Sequence, residues 1–267
     1  TEIYTLSLHD ALPILISMII LDIWVIAHFR SARSVVRLRK EYMKADLIII
    51  KDILAIGISP FAMQVAGSFV HGILNTKLIF YGSNLAVGAM GIINSVTSLV
   101  VMTIVAINMA SQPIIGFNYG AKMTDRVREA LKKALTAATL IGFFSFVLIE
   151  IFAKELVGMF NTSSPELSGI AVPGLRIFIL AMPVIGFQIV TGNYFQSVGK
   201  AKTAMLLTLL RQVLVLLPLL LILPSFLGLR GIWIAPPVAD FVSAMIVSIF
   251  LAREWRKLGL IRQSGKE

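Results

Sequence analysis

Asp240 has the most unusual setting of any charged residue in the chain. It lies about eleven residues into an apolar run from Leu229 to Ala252, three residues after Pro236-Pro237. At helical rise that is roughly 16 Å, near the middle of a bilayer core of about 30 Å. Each proline removes an amide donor and frees carbonyls upstream, so polar backbone is expected beside the carboxylate. An acid at that depth suits a coupling cation, a cationic molecule or a proton. Its plainer role is to satisfy polar groups of a neighbouring helix. Asp22, inside the run Leu12 to Phe29, raises the same question. Eight uncharged amides also fall within apolar runs: Gln64, Asn75, Asn94, Asn108, Gln112, Gln188, Asn193 and Gln196. Amides in hydrocarbon face other helices or water, so they read either as interhelical hydrogen bonds or as a polar cavity wall. Met63 adds a flexible, polarisable thioether to such a wall.

Other chemistry finds little support. The three histidines, His9, His28 and His71, are too scattered for a metal cluster, and there is no Cys. No glycine loop of the phosphate-binding type occurs, so ATP is not the direct energy source. No nucleophile–base pair can be drawn from the spacing. The reading is a non-enzyme with no catalytic residue, no metal site and no cofactor.

These residues need elements to hold them, and the composition names the elements. Apolar residues make up 57% of the 267 and charged residues 14%, against about half and about a quarter in ordinary soluble domains. The surplus lies in continuous blocks of membrane-spanning length, which take roughly 20 residues each. Backbone in lipid must bond within its own segment. Continuous blocks suit helices and not the alternating strands of a barrel. The expected spans are Leu12 to Phe29, about Ile53 to Asn75, Leu85 to Ile115, Ala134 to Ala153, Pro173 to Ser197, Thr203 to Leu223 and Leu229 to Ala252. The fold class is therefore an all-α integral membrane protein, a polytopic helical bundle.

The net charge of +10 does not point to nucleic acid, because the basic residues sit between the apolar blocks. They alternate in side. Arg30, Arg33, Arg37, Arg39, Lys40, Lys44 and Lys51 follow the first span; Lys122, Arg126, Arg128, Lys132 and Lys133 follow the third. Lys200 and Lys202 follow the fifth, and Arg253, Arg256, Lys257, Arg262 and Lys266 follow the last. The opposite loops hold Lys77, Lys154 and Arg230, while Arg176 and Arg211 lie near span ends and are left aside. The basic side is cytoplasmic. That orientation places the C-terminus inside a plasma (inner) membrane as a multi-pass protein. It also leaves the first residues outside, with neither an initiator Met nor a basic n-region at Thr1, so upstream spans are expected. Residues 1–14 read as a foreign, artefactual segment, and His9 and Asp10 are excluded with it.

Several blocks carry a family resemblance. They are Ile56-Gly57-Ile58-Ser59-Pro60-Phe61, Gly88-Ala89-Met90-Gly91-Ile92-Ile93-Asn94-Ser95 and Ser111-Gln112-Pro113-Ile114-Ile115-Gly116-Phe117-Asn118-Tyr119-Gly120-Ala121-Lys122. Asn193-Tyr194-Phe195-Gln196-Ser197-Val198-Gly199-Lys200-Ala201-Lys202 follows, then Gly228-Leu229-Arg230-Gly231-Ile232-Trp233 with Pro236, Pro237 and Asp240. Their order and spacing resemble the second six-helix lobe of the MATE (multidrug and toxic compound extrusion) family, most of all the branch of the staphylococcal multidrug pump. The resemblance implies one six-helix lobe over residues 47–257, a remnant of the preceding helix and its basic loop over 15–46, and a tail over 258–267. It further implies two lobes around a central cavity, with export of organic cations driven by Na⁺ or H⁺.

The resemblance breaks at one point. Several branches of the family place cation-binding acids in the helices matching the second and fifth spans. Here Phe61-Ala62-Met63-Gln64-Val65-Ala66-Gly67-Ser68 has no acid, and neither has the stretch from Pro173 to Gln196. Coupling then falls to Asp240 or to acids in the missing N-terminal lobe. The expected function is antiport of organic cations by alternating access, with the lipid bilayer and the N-terminal lobe as partners and Asp240 and Asp22 as ion, proton or substrate candidates. Met63, Gln64, Asn94, Asn108, Gln112, Gln188, Asn193 and Gln196 are the cavity candidates. The alternatives are a lipid-linked oligosaccharide flippase of the same superfamily, whose cavity would need cationic residues, and a non-transporting remnant, since half of a two-lobed cavity cannot enclose a substrate.

Overall fold

The computed structural model describes residues 2–31, 34, 46–161 and 164–264. Arg33, Arg37, Arg39, Lys40, Lys44 and Lys266, part of the expected cytoplasmic charge, lie outside the described residues. Every regular element among the described residues is helical: α1 (Glu2–Arg30), α2 (Leu47–Gly120), α3 (Thr124–Ile151), α4 (Ala153–Phe160), α5 (Pro165–Phe178), α6 (Met182–Ser197), α7 (Ala201–Leu209), α8 (Leu217–Leu227) and α9 (Leu229–Ser264). The chain divides into two compact units, Thr1–Leu54 and Ala55–Glu267. The first contains α1, whose Leu21, Ile23 and Trp24 are exposed.

Five helical runs are long and apolar enough to cross a membrane: Phe61–Gly120, Thr124–Ile151, Pro165–Ser197, Ala201–Leu227 and Leu229–Gly259. Seven spans were expected from the sequence; the expected first, Leu12 to Phe29, lies in α1 and is not among these five. The expected second and third form one run of 60 residues, which would measure about 90 Å if straight. That is about three times a bilayer core. The run is broken at Ser83, whose φ of 64° and ψ of −174° interrupt the helix, so it makes two arms, 61–82 and 84–120. The sequence placed a loop here, between the expected spans ending at Asn75 and beginning at Leu85; the structure keeps helix on both sides and turns at Ser83. Large apolar side chains such as Phe80, Phe117 and Phe226 are exposed along these helices, as a surface facing lipid requires.

The interior of the larger unit holds two apolar clusters. One gathers Val70, Leu78, Ile93, Leu175, Ile179, Leu220 and Trp233. The other gathers Ile104, Ile115, Leu131, Val190, Tyr194, Leu207 and Leu258. The tightest seam joins α3 to α6. Helix α3 buries Leu131, Ala134, Ala138 and Gly142, a stripe at spacings of three and four that places small residues on one face. A Cβ on Gly142 would lie 2.5 Å from the carbonyl oxygen of Met182, and one on Gly186 would lie 2.5 Å from that of Ala138. The two backbones are therefore in contact, which only glycine permits here.

Two helical connections lose α-geometry in one region, and a third helix there carries a proline pair. A 3₁₀ turn, Ile179–Ala181, separates α5 from α6, just ahead of Pro183, which cannot donate to a preceding turn. A π-helical stretch, Leu210–Leu216, links α7 to α8, and the Leu217 N–H donates to the Gln212 carbonyl five residues back. Pro218 follows at once and removes the next donor. Helix α9 carries Pro236 and Pro237 internally.

Candidate functional site

The 3₁₀ turn, the π stretch and the proline pair of α9 meet around one cavity. Non-helical backbone at membrane depth is tolerated where it lines a cavity or is buried in protein. The cavity measures about 370 Å³, and its wall takes Phe178 and Met182, which flank the 3₁₀ turn, Arg211 from the π stretch and Pro236 and Asp240 from α9. Helix α6 contributes Ile185, Gln188, Asn193 and Gln196 to the wall, and the two arms of α2 contribute Met63 and Thr97. Of the residues expected to form a site, Asp240, Met63, Gln188, Asn193 and Gln196 come together here. Gln64, Asn75 and Asn94 are exposed on helix surfaces, Asn108 is buried and Gln112 half-buried, and none lines this cavity. Asp22 is exposed on α1, in the other compact unit.

Asp240 is not a lone carboxylate. Arg211 Nε donates to its Oδ1, and the two form an ion pair. The side chain of Asp240 is 4% exposed and that of Arg211 is 34% exposed. Arg211 was set aside in the sequence as lying near a span end, although it falls in the middle of the expected span Thr203 to Leu223. The structure sets it inside the cavity, opposite the acid. The signal that would have found it is charge balance: a carboxylate at membrane depth is costly without a cation nearby, and Arg211 lies within the adjacent apolar run. Gln188 Nε2 adds a 2.8 Å hydrogen bond to the backbone oxygen of Asp240. Asn193 Nδ2 instead bonds the Ile189 carbonyl at 3.1 Å, within its own helix.

A second polar cluster sits where the chain ends of several helices meet. Glu254 on α9 is buried and pairs with Lys200, while Tyr194 Oη donates to the same Oε1 at 3.4 Å. At the next residue, the Arg128 guanidinium lies 4.8 Å from the ring centroid of Trp255. The turns feeding this end share one device. At Lys122 (φ 59°) and at Gly199 (φ 76°) the chain enters the left-handed region. Met123 N–H then reaches the Asn118 carbonyl, and Lys200 N–H reaches that of Phe195. Each bond closes a helix C-terminus by a Schellman motif. Loops that the charge pattern puts on one side of the membrane thus converge in space.

A broader groove of about 690 Å³ runs between the second arm of α2 and α3, past Ser111, Asn118, Arg126, Glu129 and Lys133. Its Lys133–Glu129 pair is 76% and 64% exposed, an ordinary solvated i,i+4 contact. Among the described residues no group of His, Asp or Glu is placed to hold a metal ion.

The MatE family model matches residues 60–222. The chain is 24% identical over 241 residues to the multidrug export protein MepA of Staphylococcus haemolyticus, covering 89% of this chain and 52% of that protein. It is 27% identical over 244 residues to the transporter YisQ of Bacillus subtilis, covering 91% and 51%. In fold it resembles the outward-facing conformation of a multidrug resistance MATE family transporter of the MOP superfamily, with a TM-score of 0.81 and 22% identity over 92% of this chain and 55% of that one. The chain spans about half the length of the curated relatives it matches.

Proposed function

The chain belongs to the MatE family, and on that premise we propose that it is the C-terminal lobe of a membrane exporter that exchanges amphiphilic organic cations for Na⁺ or H⁺ by alternating access. In this reading residues 47–257 are the lobe, 15–46 the remnant of a preceding helix and its basic loop, and 258–267 a cytoplasmic tail in the plasma (inner) membrane. An N-terminal lobe completes the cavity. The protein is a transporter and not an enzyme, and it uses no cofactor beyond the coupling ion.

The observation that carries the reading is the cavity bordered by the 3₁₀ turn, the π stretch and the proline pair of α9. Its walls are mostly apolar, with amides at intervals and one buried acid. Apolar walls with a few placed polar groups suit a small organic ligand. Met63 and Met182 lend a surface that adapts to varied shapes. The flippase alternative requires uncompensated cations for a pyrophosphate. Arg211 is paired with Asp240 and Arg176 with Glu150, so neither favours it.

The test is ethidium flux in proteoliposomes carrying the full-length gene product, under an imposed pH or Na⁺ gradient. Gradient-driven flux is expected for one of the two ions and lost in Asp240→Asn at equal protein content. No flux with either gradient overturns the exporter reading. Full flux in Asp240→Asn moves coupling to the other lobe.

A further inference from the structure

The cavity wall carries two formal charges, and they are paired with each other: Arg211 on the π stretch and Asp240 on α9. The other groups near the acid are neutral. Gln188 faces it from α6, and Thr97 and Met63 come from the two arms of α2. The next ion pair along α9, Glu254 with Lys200, starts fourteen residues further on, about 21 Å at helical rise. Among the described residues, the net charge lining this cavity therefore depends on this one pair.

The two partners differ in access. The carboxylate is nearly sealed, at 4% exposed, while the guanidinium is 34% exposed. A bulky organic cation entering the cavity meets Arg211 before Asp240. A small cation, a proton or Na⁺, is far less hindered in reaching the sealed carboxylate. Arg211 donates through Nε, which leaves the four N–H groups of its terminal nitrogens without a protein acceptor among the described hydrogen bonds. It stands on a π stretch, with one residue more per hydrogen-bonded ring than an α-helix, a geometry frequent at functional sites.

We infer that Arg211 is the exchange element of this transporter, an internal cation that expels the substrate when the coupling ion binds. This rests on the exporter reading given above. With Asp240 ionised, the pair is neutral and an organic cation is held by the apolar and amide walls. When the coupling cation takes Asp240, Arg211 loses its partner. The cavity then carries one positive charge, facing the substrate, and the substrate is repelled. Coupling ion and substrate exclude each other without sharing a ligand. The ordinary alternative, direct competition for one carboxylate, requires the substrate to reach a group that is sealed here.

The two schemes predict opposite results for one double variant. Ethidium binding is measured by fluorescence on the full-length gene product in nanodiscs, across pH at fixed Na⁺ and across Na⁺ at fixed pH. The wild type is expected to bind more weakly as the coupling ion rises, and the two series identify that ion. Asp240→Asn leaves Arg211 uncompensated and should weaken binding on the order of tenfold or more, the scale of one charge across a partly buried site. The double variant Arg211→Gln with Asp240→Asn removes both charges. It should bind as tightly as the wild type in its high-affinity condition and lose all dependence on the ion. Direct competition predicts weak binding in the double variant, and that result overturns the inference while leaving the exporter standing. A double variant that binds tightly but still responds to the ion overturns it too. Failure of the wild type to bind ethidium under any condition counts against the exporter reading itself. The double variant is neutral, so it supports the comparison even if the single one fails to fold.

Discussion

Gln188 reaches from α6 to α9 and donates a 2.8 Å hydrogen bond to the backbone carbonyl oxygen of Asp240. The bond fixes the distance between the helix that forms one cavity wall and the helix that carries the acid. Amide bonds between membrane helices contribute about 0.5–1.5 kcal/mol. Gln188→Leu keeps the volume and removes the donor. Thermal unfolding in detergent should show a loss in that range, and an unchanged midpoint would leave the bond without energetic weight.

Ser83 occupies backbone space that is open to glycine and costly for other residues, of order 1–3 kcal/mol. Its Oγ recovers part by accepting the Leu85 N–H at 3.3 Å. Ser83→Gly should therefore raise stability by about 1 kcal/mol, and Ser83→Val should lower it by more. A lower midpoint for the glycine variant would mean that the hydroxyl outweighs the strain.

Gly186 meets the backbone of α3, not a side chain, since its absent Cβ would lie 2.5 Å from the Ala138 carbonyl oxygen. Gly186→Val should force α3 and α6 apart and abolish the monodisperse peak in size-exclusion chromatography. Ala138→Gly should not rescue it. Rescue by that second change would show that the obstacle is the Ala138 methyl.

Glu254 holds Lys200 and Tyr194 together with its side chain 7% exposed. Glu254→Gln keeps an acceptor for Tyr194 and removes the ion pair. The expected cost is about 2 kcal/mol, below the roughly 3–5 kcal/mol of a fully buried pair, because Lys200 is 34% exposed. Denaturation at two salt concentrations checks the sign: a contact this buried should respond weakly to salt. A strong salt response would place the pair in solvent.

The fold class and most spans were legible because hydrocarbon makes one demand on every backbone group, and the apolar blocks of this chain answer it directly. The MATE blocks around Gln112-Pro113 and Asn193-Tyr194 carried the lineage. Asp240 stood out by depth alone. Two details did not show. A break between the second and third spans was expected, but its place at Ser83, within otherwise continuous helix, rests on one pair of dihedral angles. The pairing of Arg211 with Asp240 joins residues on different helices, and helix packing, not spacing along the chain, decides it. The amides divide for a similar reason. Gln188, Asn193 and Gln196 share the α6 wall, whereas Gln64 and Asn94 point away from it, and helical phase was not resolved within long uniformly apolar runs.

Backbone contact between α3 and α6 has a mechanical meaning. Helices separated by side chains can slide, because rotamers absorb small displacements. Where a glycine on each helix lies against a carbonyl of the other, nothing compressible remains between them. Any rearrangement of the larger unit must then carry α3 and α6 together as a single beam. The bending falls to the joints where hydrogen-bond registers are already incomplete, at Ile179–Ala181, at Leu210–Leu216 and around Pro236.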